Sequence, residues 1–188
     1  AVDASRRDDR CFTTEGVGCM IAETALEAGD TPAFLDKAVR FANQTLWGSL
    51  TSTILVHPKS LKDPAVAQAV ESAVRDLRYG TVGVNLWGVA NFLSMAGSGG
   101  AFPGHPCTDI QSGQGTAYNY LMVPRVQKTV IRGPFRQWPV PLIFPNHRTI
   151  RAIGERLVDL EASPSILKLP AIMWDAMRGP RGRAAGGA

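Results

Sequence analysis

The chain has 188 residues, 45% hydrophobic and 19% charged, with a formal net charge of +4. That is globular composition with enough apolar mass for a core, and it excludes a disordered chain. No apolar run approaches the roughly 20 residues that span a bilayer, and the polar start AVDASRRDDR has no signal-peptide core.

Met20 to Leu26 reads as a short strand, closed by a turn at Gly29-Asp30. Thr31-Pro32 opens a helix, with Thr31 as the cap and Pro32 at the first helical position. Its apolar face runs through Phe34/Leu35, Ala38, Phe41/Ala42 and Leu46. Leu50 to Val56 is β-branched and reads as a buried strand, stopped by His57-Pro58. Asp63-Pro64 starts a second helix reaching about Tyr79, with Val66, Val70, Ala73/Val74 and Leu77 on one face and Gly80 in a left-handed position after its end. Thr81 to Leu86 is the next strand. Strands separated by helical crossovers predict an α/β fold, a mostly parallel sheet with covering helices.

From Gly88 to Gly115 glycines and prolines dominate, which predicts a long irregular loop. A short helix over 116–123 and a last strand, Val126 to Arg132, follow. Pro134 to Pro145 is an extended segment. Asn146 caps a helix over 147–160, and a further helix over 165–177 is broken or bent near Pro170. The C-terminal extension is thus helical, and residues 179–188 form a disordered tail. Much of the positive excess lies in Arg178, Arg181 and Arg183 of that tail, so the body is near charge balance and lacks the clustered basic face that nucleic acid requires.

The three cysteines, Cys11, Cys19 and Cys107, are widely spaced and form no CxxC pair, and the three histidines are scattered. Neither a metal site nor a disulfide framework is expected, and a reducing, cytoplasmic compartment fits. Cys19 reads as a buried small hydrophobe, and a dyad of Cys107 with His105 is conceivable but seldom aligned at that spacing. Gly97-Ser98-Gly99-Gly100 lacks the context of a phosphate loop and is expected to be a mobile linker or lid. The chain starts without Met, as a piece of a longer or processed protein does.

Four stretches carry a resemblance. Glu15-Gly16-Val17-Gly18-Cys19-Met20 stands where the aldehyde dehydrogenase superfamily has Glu-x-Phe-Gly-Pro-Val. The run from Ala38 through Asn43 to Trp47-Gly48 resembles its helix ending in Ala-Asn followed by an aromatic-Gly. Gly80-Thr81-Val82-Gly83-Val84-Asn85 is similar to its Gly-Thr-Val-x-Val-Asn strand. Ser112-Gly113-Gln114-Gly115 with Lys128-Thr129-Val130 resembles its closing elements. Residues 1–132 would then be the C-terminal half of the catalytic domain, residues 126–132 the closing oligomerisation strand that pairs copies of the chain, and 133–178 a Pro-rich segment and helical extension.

The resemblance implies oxidation of an aldehyde to a carboxylic acid with NAD or NADP in the full-length parent. The family's nucleophilic cysteine and water-activating glutamate precede the first matching motif, so no catalytic residue is assigned here. Glu15 matches the glutamate that binds the ribose hydroxyls beside the nicotinamide, a task suited to a carboxylate's two acceptors. Val17 stands for the Phe that packs near that ring. Trp87, Phe92 and Phe102 are candidates for the substrate funnel. The other reading is a non-catalytic oligomerisation or interaction module derived from the family. No nucleic-acid or membrane partner is expected.

Overall fold

A computed structural model describes residues 1–178 apart from 17, 95, 119–121, 124 and 138–146. Two compact units divide the chain, residues 1–135 and the residues from 136 onward. In the first, α1 (Arg10–Thr13), α2 (Thr31–Gln44), β1 (Thr51–Ile54), a 3-10 turn (Ser60–Lys62), α3 (Pro64–Asp76), β2 (Thr81–Val84), α4 (Ala90–Ser94) and β3 (Thr129–Arg132) follow in order. The second holds α5 (Ile150–Ala162), a 3-10 turn (Ile166–Lys168) and α6 (Leu169–Met177).

The two long helices of the first unit begin where a side chain satisfies their free N–H groups. Asp63 caps α3 by accepting from the backbone N–H of Ala65 at 2.9 Å, as its Asp-Pro signature predicts. In α2 the cap is Asp30, one residue earlier than expected. Its carboxylate accepts from the Ala33 N–H at 2.8 Å, and Thr31 is already helical.

The sheet has the order β1-β2-β3, all parallel, with Thr51, Thr81 and Thr129 side by side in register. Alternation along the strands sends Val82 and Val84 to one face, where they meet Val39 of α2, Val70, Ala73 and Val74 of α3, and Leu77 and Tyr79 beyond α3. This is the apolar core. Asn43, at the end of α2, accepts from the Arg78 N–H at 2.8 Å and donates to the Asp76 carbonyl at 2.9 Å, which fixes the two helices end to end. The ammonium of Lys128 donates to the carbonyls of Val74, Arg75 and Leu77, closing the C-terminus of α3.

The other face carries the threonine row and is covered by α4 and the glycine-rich stretch. Asn91, almost wholly buried, donates to the Thr81 hydroxyl at 3.3 Å and to the Ser98 carbonyl at 3.0 Å. Thr129 donates to the same Ser98 carbonyl at 2.7 Å. The Thr51 hydroxyl is buried there without a partner.

This covering layer corrects two expectations. Residues 97–100 are not a lid: Ser98 is buried, and Gly99 forms an antiparallel bridge with Ala117. The glycines allow backbone to lie directly on the sheet, where side chains would not fit. Gly80 is likewise not left-handed, being absent from the positive-φ positions. It is glycine because a Cβ there would collide with the carbonyl oxygen of Gly100.

Other expectations shift as well. Residues 20–26 form no strand; Val2 bonds to them, its N–H donating to the Glu23 carbonyl at 2.6 Å and its carbonyl accepting from the Thr24 hydroxyl at 2.6 Å. A strand requires a ladder partner, and Met20 and Ile21 are left exposed without one. The helix expected over 116–123 is absent among its described residues, since Ala117 is committed to the bridge with Gly99.

In the second unit α5 starts at Ile150, after Thr149, whose side chain makes no capping bond. The expected cap Asn146, most of the Pro-rich segment and the tail 179–188 lie outside the described residues. Pro170 sits in the first turn of α6, where the 3-10 turn passes into α-helix, matching the break expected near it. Among the described residues no helix is long and apolar enough to cross a membrane.

Candidate functional site

Glu15 follows α1, and α1 is well anchored. Asp9 accepts from the Cys11 N–H at 2.9 Å, and this bond holds its carboxyl below the ordinary carboxylate value. Phe12 is buried edge-on against Phe41 at 5.2 Å, and its carbonyl accepts from the Trp47 N–H at 2.7 Å. The Glu15 side chain emerges from this anchor exposed, on an open cleft of about 820 Å³ shared with Arg10, Cys11, Cys19, Met20 and Glu23. Val17 lies outside the described residues. Cys19 is exposed on this cleft, contrary to its expected burial, because the segment that follows it has no strand to pack into.

A free carboxylate fits a ribose diol. The described lining does not favour a dinucleotide: Arg10 is the one cationic side chain among the described lining residues, Glu15 and Glu23 are anions, and a pyrophosphate needs N–H donors or positive charge. Among the described lining residues, the Glu15 carboxylate is the group whose chemistry suits such a cofactor.

The three aromatic candidates stand in different surroundings. Trp87 is about half exposed, and Phe92 packs edge-on against Tyr118 at 5.7 Å. Phe102 lines a separate cleft of about 480 Å³, which it shares with Trp47, Ser49, Arg78, His105 and Gln111. None of the clefts described here is lined by more than one of the three.

That second cleft holds a pair that sequence spacing did not reveal. The Ser49 hydroxyl and His105 Nε2 lie 2.7 Å apart, although the residues are 56 positions apart in the chain. A Ser–His contact is the geometry of a base-activated nucleophile. Here it serves as an anchor, because Ser49 is committed on every side. Its N–H donates to the Ser112 hydroxyl at 2.8 Å, and its carbonyl accepts from Gly80 at 2.9 Å and Phe102 at 3.0 Å. Gln111 adds a bond from the Gly48 N–H at 3.2 Å. Among the described residues no carboxylate orients the imidazole as a catalytic triad requires.

His105 is thus occupied with Ser49, and Cys107 is exposed with its sulfur 3.8 Å from the Gln114 amide, so the two form no dyad. Among the described residues no group of His, Cys, Asp or Glu can hold a metal ion. Compared with family models, with curated proteins and with solved structures, the chain matches none.

Proposed function

We propose that the chain is the C-terminal part of an NAD(P)-dependent aldehyde dehydrogenase-like catalytic domain that does no chemistry by itself. The observation that supports this reading is the placement of the motif residues. Asn43, Gly48, Gly80, Asn85 and Lys128 fall, in chain order, at successive helix and strand ends of one parallel α/β unit, and each has a fold-specific task there. Gly48 turns the chain at φ 95°, and Asn85, at φ 56°, accepts from the Val56 N–H at 2.8 Å to hold β1 against β2. Residues that recur for such reasons mark a scaffold, not a reaction centre.

In this reading the thiolate, the base and most of the cofactor contacts come from upstream parts of the parent, and Glu15 adds the ribose contact. The parent oxidises an aldehyde with NAD or NADP, and β3 pairs copies of the chain through its outer edge. That edge has no strand partner among the described residues, and Val130 is partly exposed beside it. A second reading, a non-catalytic interaction module derived from the same family, draws on the lack of a reactive cluster among the described residues.

The purified chain, mixed with NAD or NADP and a panel of aliphatic and aromatic aldehydes, is expected to give no reduced cofactor at 340 nm. Turnover would overturn the non-catalytic assignment. Parentage is tested separately by the coding sequence upstream of Ala1. An in-frame cysteine-bearing turn behind a dinucleotide-binding domain is expected, and unrelated sequence there would defeat the family reading.

A further inference from the structure

The cleft beside Ser49 differs in charge from the other clefts of the first unit. It opens at the end of the sheet where β1 and β2 begin, next to the close of α2. Its lining holds Arg78 and His105 and no Asp or Glu, whereas four other clefts of this unit each include two carboxylates.

Arg78 is fixed through its backbone, and its charge is unspent. Its N–H donates to Asn43 at 2.8 Å, while its exposed guanidinium has no hydrogen bond or ion pair among the described residues. The nearby Arg40 and Arg75 are instead paired, with Asp36 and Asp76. The negative ends of α2 and α3 would oppose an anion here, but their carbonyls are occupied. That of Ala42 accepts from the Tyr79 hydroxyl at 3.3 Å, that of Asp76 from Asn43 at 2.9 Å, and Lys128 holds those of Val74, Arg75 and Leu77.

His105 adds a donor. The Ser49 hydroxyl is buried, and its partner among the described residues is His105 Nε2 at 2.7 Å. The hydroxyl proton is satisfied when Ser49 donates to Nε2, which leaves the ring proton on Nδ1. That second nitrogen has no partner among the described residues. Thr45, in the same wall, is 9% exposed and buries its hydroxyl unpartnered, an exception to the rule that buried polar groups are satisfied. Trp47, 37% exposed, and the partly buried Phe102 supply aromatic surface.

The cleft, of about 480 Å³, has the size of a small-molecule site. One guanidinium fork and one imidazole N–H match the two oxygens of a carboxylate. A phosphate brings a further charge and a further oxygen, for which the lining has no second cation. We infer that this cleft binds a small aromatic carboxylate, its oxygens on Arg78 and His105 and its ring against Trp47 and Phe102. The inference does not rest on the dehydrogenase reading, which gives Arg78 and His105 no role.

Titration of the full chain with naphthoate, without nicotinamide cofactor, tests it by calorimetry and by amide NMR. Binding is expected in the submillimolar range, on the order of 0.1 mM, with the largest shifts at Gly48, Ser49 and the Trp47 indole. Naphthylmethanol, which keeps the ring without the charge, and inorganic phosphate, which keeps charge without the ring, should each bind at least about tenfold more weakly. Arg78→Met should lose about tenfold or more in naphthoate affinity. Arg75→Met, which removes a guanidinium already paired with Asp76, should bind as the wild type does. The inference is overturned if naphthoate does not bind, if the alcohol or phosphate binds as tightly, or if the shifts map away from the cleft. Unchanged affinity in Arg78→Met overturns it too, and the three-ligand comparison on the wild type decides the matter should that variant fail to fold.

Discussion

The ammonium of Lys128 donates to the Leu77 carbonyl at 2.7 Å, across 51 positions of sequence, and so fastens the residues entering β3 to the chain leaving α3. Two further carbonyls, of Val74 and Arg75, share the same ammonium. Burial lowers the Lys128 pKa, and the nearby Asp76 carboxylate partly offsets this. Substitution by Met keeps the stem and removes all three donors. Lys128→Met is expected to lower stability by about 1–3 kcal/mol, the range for polar groups left without partners, read as a shift in the urea midpoint.

Two glycines should respond in opposite directions. At Gly80 an added Cβ strikes the backbone of Gly100, which no rotamer change relieves, so Gly80→Ala should cost more than about 3 kcal/mol or prevent soluble folding. Gly154 lies within α5 with open space where its Cβ would go. There Gly154→Ala should stabilise by about 0.5–1 kcal/mol through helix propensity. Thermal unfolding of the two variants beside the wild type checks both signs.

The helix caps give a third expectation. Asp30→Ala and Asp63→Ala each remove an acceptor for a free N–H at a helix start, at a cost of about 1 kcal/mol apiece. Because both helices pack on one core, the double variant is worth measuring for coupling by denaturant titration.

Acid should release α1. The carboxyl of Asp9 is held below its ordinary value of 3.8, chiefly by the Cys11 N–H. The unfolded chain therefore takes up the proton first, and the stabilisation is present above pH 3.8 and disappears as pH falls through the lower folded value. The urea midpoints of wild type and Asp9→Ala should differ at neutral pH and converge in acid. A constant difference would show that the carboxylate does not set the cap.

The parts of the fold legible in the sequence are those set by local chemistry. Asp63-Pro64 marks the start of α3, Val66, Val70, Ala73 and Val74 mark its buried face, and the β-branched run after Gly80 marks β2. The parts that were not legible depend on distant partners. Residues 20–26 have strand composition but no adjacent strand. The threonine row forms only once β1, β2 and β3 align, and the Ser49–His105 bond joins segments whose spacing carries no signal. Glu15 rests on its motif alone, and the sequence carries no signal that Phe92 packs against Tyr118 while Phe102 lines the cleft beside Ser49 and His105.

The central place of β2 also bears on how the chain is made. Its four residues are all buried, yet one flank stays uncovered until Thr129 has been synthesised and β3 can dock. At ordinary translation speeds that interval lasts on the order of seconds, long enough for a bare hydrogen-bonding margin to meet another nascent chain. Ribosome-associated holdase capacity should therefore limit the soluble yield of this protein more than the thermodynamics of the finished sheet.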